Sequence, residues 1–180
     1  METYRLICHP DTPAVKVRSV DAYVVRNRDT YLHFRWRIKG TGALVVPAFV
    51  GPGREDGLWQ TTCFELFAAP EGGDSYHEFN FSPSGRWAAY DFARYRDGMA
   101  GRTLAAPPVS QERRHAHILT FDTQLRANSL PLRPLKIGLS AVIEEEGRVK
   151  SYWALAHPPG APDFHAPTCF AATLPAPELP

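Results

Sequence analysis

This 180-residue chain has no apolar run approaching the eighteen or so residues of a membrane span, and residues 1–5 do not lead from positive charge into an apolar stretch. Neither membrane insertion nor export is therefore signalled. Cysteine is sparse: Cys8, Cys63 and Cys169 form an odd set with no C-x-x-C pair. A disulfide framework and a zinc site are both set aside, and reduced, mostly buried thiols in a cytoplasmic protein are expected. The net charge is only +1, with Lys, Arg, Asp and Glu interspersed and no basic stripe. Nucleic acid and anionic membranes are thus poor partners, and neutral small molecules better ones. The sequence also lacks G-x-S-x-G, a Walker phosphate loop and G-x-G-x-x-G, and no base neighbours Cys63. Nucleophilic catalysis has no motif to stand on.

What the chain does have is period-two alternation. In Leu32-His33-Phe34-Arg35-Trp36-Arg37-Ile38 every second residue is apolar, the signature of a strand with one face in a core. Asn27-Arg28-Asp29 reads as the turn of a hairpin joining residues 22–25 to 31–38. A Pro- and Gly-rich loop over residues 47–57 then delivers the chain to Trp59. Residues 63–67 and 76–82 make a second hairpin around Glu71-Gly72-Gly73-Asp74. With Phe64, Leu66, Phe79 and Phe81 inward, Glu65, Glu78 and Asn80 share the opposite face.

Residues 86–92 continue as a strand after Pro83-Ser84-Gly85. On it Trp87 is assigned to the core, and Arg86 and Tyr90 to the outer face. Residues 102–109 read as a loop, 115–121 as a strand, and 123–126 as one turn of helix before Pro131 and Pro134. Strands at 137–144 and 149–156 flank the turn Glu145-Glu146-Gly147, and a last strand covers 169–174. Of Tyr152 and Trp153, one must be exposed. Many short strands with frequent turns and little helical periodicity predict an all-β, antiparallel sandwich formed by one domain over 1–180.

Trp59 stands at the mouth of the alternating strand that carries Glu65. An indole face stacks on the C–H face of a pyranose, and a strand-held carboxylate accepts hydrogen bonds from its hydroxyls. Glu65, Glu78, Asn80 and Arg86 equally suit a structural polar network. Glu144, His157, Asp163 and His165 would be the machinery of an enzyme, although their spacing matches no metal motif. His115-Ala116-His117 sets two imidazoles on one strand face without a third ligand.

Three segments together resemble the family 9 carbohydrate-binding modules and the wider DOMON-like proteins: Leu58-Trp59 with Glu65-Leu66-Phe67, residues 76–85, and Phe164-His165-Ala166-Pro167-Thr168-Cys169-Phe170. The resemblance covers most of the chain and implies a jelly-roll or immunoglobulin-like sandwich. It also implies two aromatic walls, Trp59 and Phe164, around a sugar whose hydroxyls are held by Glu65 and Arg86. Asn80, Tyr152, Asp163 and His165 are expected at the rim. No Asp-rich loop suggests calcium, and Met99, in an apparent loop, is a poor haem ligand. No metal or cofactor is therefore expected. The function expected is non-catalytic binding of a small carbohydrate or related polyhydroxylated ligand. The alternatives are a cytoplasmic enzyme built on the four residues named above, and a protein-interaction module that has lost the sugar site.

Overall fold

The computed structural model describes residues 2–27 and 31–176. Its strands, in chain order, are Glu2–Arg5 (β1), Ile7–Cys8 (β2), Ser19–Asn27 (β3), Tyr31–Lys39 (β4), Gly53–Arg54 (β5), Cys63–Pro70 (β6), Tyr76–Phe81 (β7), Arg86–Phe92 (β8), Ala100–Gly101 (β9), Val109–His115 (β10), Ile118–Arg126 (β11), Leu135–Glu145 (β12), Val149–Ala154 (β13) and Ala172–Leu174 (β14). They form two sheets. One runs β1-β3-β4-β11-β10; the other runs β2-β13-β12-β6-β7-β8-β5, with β14 on the edge of β12 beside β13, and β9 on β8. All pairings are antiparallel except β5 with β8. The fold is an antiparallel β-sandwich, as the alternation predicts.

The two inner faces meet through aromatic rings. Trp36 on β4 is fully buried and lies 5.4 Å from the ring of Phe64 on β6, which in turn stacks on Phe121 of β11 at 4.5 Å. Phe34, Leu66, Phe79 and Phe81 fill the same core, with Trp87 packed against it. Each buried ring contributes about 1.5–3 kcal/mol over leaving it exposed. This core fixes register, because a one-residue slip of β6 would drive Glu65 into it.

Several elements differ from expectation. Residues 115–121 are not one strand: β10 ends at His115, Ala116 turns at φ 49°, and Ile118 begins β11 opposite His115. The two imidazoles therefore flank a hairpin turn and do not share a strand face. Residues 123–126 are strand, not helix, because Leu119, Phe121 and Leu125 continue one inward-facing row against β4. A four-residue window was too short to separate period two from a helical turn. Edge strand β10 is mostly exposed and polar, so no apolar alternation announced it. The final strand is shorter than 169–174, since Pro167–Cys169 is a 3₁₀ turn. Trp153 is the inward member of its pair and Tyr152 the outward one. The expected turn at 27–29 lies mostly outside the described residues.

Glu145, expected in a turn, ends β12 and is 1% exposed. Its carboxylate accepts hydrogen bonds from three successive amides, those of Val15 (2.7 Å), Lys16 (2.6 Å) and Val17 (3.0 Å). That nest pins the loop between β2 and β3 to the larger sheet.

Candidate functional site

The second face of the larger sheet is covered by loops, not by another sheet. Alternation along β6, β7 and β8 puts Glu65, Phe67, Glu78, Tyr90 and Phe92 on it, with Tyr152 added from β13. Two glycines let the loops approach. Gly57, at φ 75°, opens the 3₁₀ turn Leu58–Gln60 that carries Trp59. Gly138, in mid-strand, leaves room for Phe170: a Cβ there would lie 2.9 Å from its ring. Phe170 can then stack on Phe67 at 5.7 Å, which brings the segment bearing Phe164 and His165 down over the sheet.

Between sheet and loops lies a cavity of about 1160 Å³. Of the residues singled out from the sequence, Trp59, Glu65, Tyr152, Phe164 and His165 line it. Trp59 is 52% exposed and makes no ring contact with the other described residues. Phe164 is buried against Tyr152, with ring centroids 5.9 Å apart. The indole and the phenyl thus bound one space without filling it with each other.

Arg86 does not belong to this lining. Strand β5 runs beside β8 with Gly53 opposite Arg86, so the guanidinium lies against Gly53, its Nε 3.3 Å from Glu55. The cations that do line the cavity are Arg54, the next residue on β5, and Arg96 in the turn after β8. Arg54 sits 5.4 Å above the Tyr90 ring and pairs with Asp56 at 3.0 Å, while the Tyr90 hydroxyl donates to the same Asp56. Asn80 lies on the same face as Glu78 but outside the lining, donating through Nδ2 to Glu78 Oε1 at 2.8 Å. Asp163 is a brace outside the lining. It accepts from Arg96 (Nη2 2.7 Å, Nε 3.2 Å), from the Tyr95 hydroxyl and from the amide of His165 (3.1 Å), so it locks two lining residues together. Burial by itself would raise the Asp163 carboxyl, but these donors outweigh it and hold the group below the ordinary range.

The floor carries two acids. Glu65 is 3% and Glu78 7% exposed. Because Glu65 faces Asn80 across the ladder, Glu78 is its diagonal neighbour, with Cβ atoms roughly 7 Å apart. Glu65 Oε2 accepts from Ser140 at 3.1 Å, and Oε1 has no partner among the described residues. Glu78 Oε2 has only His165 Nε2 nearby, at 3.8 Å, too long for a hydrogen bond. Desolvation, and for Glu65 also the charge of Glu78, push both carboxyls well above the ordinary range; the Asn80 bond and then the charge of Arg96 at Glu78, and the Ser140 bond at Glu65, oppose this only in part.

His165 is held by Tyr76, whose hydroxyl accepts from the amide of Arg96 (3.2 Å) and lies 2.8 Å from His165 Nδ1. With its oxygen already accepting, the phenol donates to Nδ1, which leaves the imidazole proton on Nε2, facing Glu78. Burial, and then the nearby Arg96, lower the His165 pKa to about 4. The folded state therefore binds less proton than the unfolded chain below the ordinary histidine value. Stability from this group is complete above pH ~6.5 and is lost as pH falls toward 4, on the order of 2 kcal/mol in all. Acid unfolding curves of His165→Gln are expected to lack that component; curves identical to wild type would exclude it.

The four residues of the enzyme alternative do not converge. His157 bonds the carbonyl of Ile7 at 2.8 Å and packs edge-on against His9, and Asp163 is taken by Arg96. Only His165 of the four lines the cavity. Among the described residues no group of three or more His, Cys, Asp or Glu is placed to hold a metal.

Sequence reasoning missed Arg54, Arg96 and Tyr90 as lining residues and treated Glu78 as support. Tyr90 and Glu78 were legible, since alternation set them on the same face as Glu65. Nothing local marked Arg96, whose left-handed backbone (φ 52°) is imposed by its turn. No protein-family model matches the chain, and no curated protein matches it in sequence. Solved structures share its fold. A candidate carbohydrate-binding protein from Bacteroides uniformis superposes with a TM-score of 0.70 at 17% identity, over 97% of this chain and 85% of that one. A family 9 carbohydrate-binding module from Caldicellulosiruptor kristjanssonii in complex with cellotriose superposes with a TM-score of 0.51 at 7% identity, over 88% of this chain and 74% of that one. At such identities the likeness is one of architecture: the chain has the β-sandwich fold found in family 9 carbohydrate-binding modules.

Proposed function

We propose that this protein binds a small carbohydrate or similar polyhydroxylated ligand in the cavity of the larger sheet and does not transform it. The observation that carries this reading is the joint exposure, in one cavity, of an unstacked indole and of carboxyl oxygens left unpaired on a rigid floor. Trp59 offers a flat apolar face to ring C–H groups, while Glu65 Oε1 and Glu78 Oε2 accept from hydroxyls at the other end of the ligand. Phe164 and Tyr152, packed against each other, add further apolar lining to the same cavity. The sandwich shared with a sugar-complexed module agrees with this use of the fold.

The same floor argues against glycoside hydrolysis. Glu65 and Glu78 stand side by side on adjacent strands, so both meet a ligand from below, whereas hydrolysis needs carboxyls flanking the scissile bond. Cys8, Cys63 and Cys169 are free thiols, in keeping with a reducing compartment such as the cytoplasm. No helix among the described residues is long and apolar enough to cross a membrane.

Stacking on Trp59 is worth on the order of 0.5–1.5 kcal/mol beyond area burial. Trp59→Ala is therefore expected to weaken glucose or cellobiose binding about tenfold by calorimetry, with little change in melting temperature because the indole is half exposed. A dissociation constant equal to wild type would remove the stacking wall.

A further inference from the structure

We propose that the ligand carries a protonated amine, as an amino sugar or aminopolyol does, and that the ammonium group sits between Glu65 and Glu78. The inference rests on the carbohydrate reading and adds the chemical class of the ligand.

Six charged or titratable groups on the cavity lining decide its charge: Arg54, Asp56, Arg96, His165, Glu65 and Glu78. Arg54 is neutralised by Asp56 at 3.0 Å and is drawn to the Tyr90 ring. Arg96 is committed to Asp163 by two hydrogen bonds. His165, fixed by the Tyr76 hydroxyl, is neutral at physiological pH. Glu65 and Glu78 remain: among the described residues no cationic side chain hydrogen-bonds either of them, and the charge of Arg96 reaches Glu78 only without a bond. Their bonded oxygens receive only the neutral donors Ser140 and Asn80. Glu65 is 3% exposed and lines the cavity, yet its second oxygen has no partner among the described residues. A buried acid pair left without a cation is costly unless it keeps protons or acquires a counter-charge.

A neutral sugar supplies hydroxyl donors but no counter-charge. An ammonium group supplies both, with three donors that reach two carboxyl oxygens at once. The lining suits a cation as well, since the unstacked, half-exposed indole of Trp59 lies in the same cavity and aromatic rings attract positive charge through their quadrupoles. Binding a cation shifts the acid pair toward its ionised form, so protons leave as the ligand enters.

The test is calorimetry at pH 7 with glucosamine hydrochloride, glucose and N-acetylglucosamine, in two buffers of different ionisation enthalpy, on wild type and on Glu78→Gln of verified fold. Expected are glucosamine binding at least tenfold tighter than glucose or N-acetylglucosamine, a heat that depends on the buffer because protons are released, and collapse of the glucosamine preference in Glu78→Gln. Glucose binding as tightly as glucosamine would overturn the inference and leave the carbohydrate reading standing. So would a glucosamine preference that survives in Glu78→Gln, because the preference would then arise elsewhere. Failure of all three probes to bind would overturn both.

Discussion

Glu145→Ala is expected to lower the unfolding free energy by about 3–5 kcal/mol, which for a chain of this size is a fall of about 10 °C in melting temperature. The carboxylate is buried and is the common acceptor for the amides of Val15, Lys16 and Val17, all at 3.0 Å or less. Its removal leaves three donors of one short segment without their acceptor, the Val17 amide in a buried position, and a methyl group cannot replace it. Glu145→Gln keeps one carbonyl oxygen and so should lose about half as much. The damage reaches the cavity, because the loop held by Glu145 also carries Thr12 into its lining. Urea unfolding of both variants checks this, and a loss under about 1 kcal/mol for alanine would mean that water replaces the carboxylate without cost.

The second large effect has the opposite sign. Glu65→Gln is expected to stabilise the protein at pH 8 by on the order of 2 kcal/mol, and to leave stability at pH 5 nearly unchanged. Folding raises both floor carboxyls above their unfolded values, chiefly through desolvation. The native state therefore holds more protons than the unfolded chain once pH passes the ordinary glutamate value. Stability is complete below that value and declines as pH rises through the raised one. Between pH ~4.5 and 6.5 this decline runs against the gain from neutral His165, so the carboxyl slope emerges cleanly only above pH ~6.5. Glutamine removes the ionisable group while keeping an acceptor for Ser140. The same substitution should weaken glucosamine binding at least tenfold, the usual trade between a strained site and stability. Parallel stability curves for wild type and Glu65→Gln from pH 6.5 to 8 would show that the acid pair stores no such cost.

Much of the site's floor was legible because a strand makes facing a local property. Once Phe64 and Leu66 were placed inward, Glu65 and Phe67 could only face the other way, and the same held for Glu78 on the adjacent strand. Hairpin pairing then fixed which acids are neighbours. The role of Arg86 failed for the complementary reason. Its face was read correctly, but a side chain's surroundings depend on what covers it, and β5 arrives from more than thirty residues earlier to lie beside it.

The alternation of apolar side chains by itself determined an antiparallel sandwich, its inward rings and the row of acids on the outer face of the larger sheet, since period-two geometry needs no distant information. Tertiary structure alone decided that loops roof that face into a cavity, that Arg54 and Arg96 line it and Arg86 does not, that Asp163 braces the rim, and that Glu145 secures a loop far from it in sequence. These outcomes depend on long-range closure of irregular segments, where a glycine's missing Cβ or a single buried carboxylate determines the path and no periodic pattern records it.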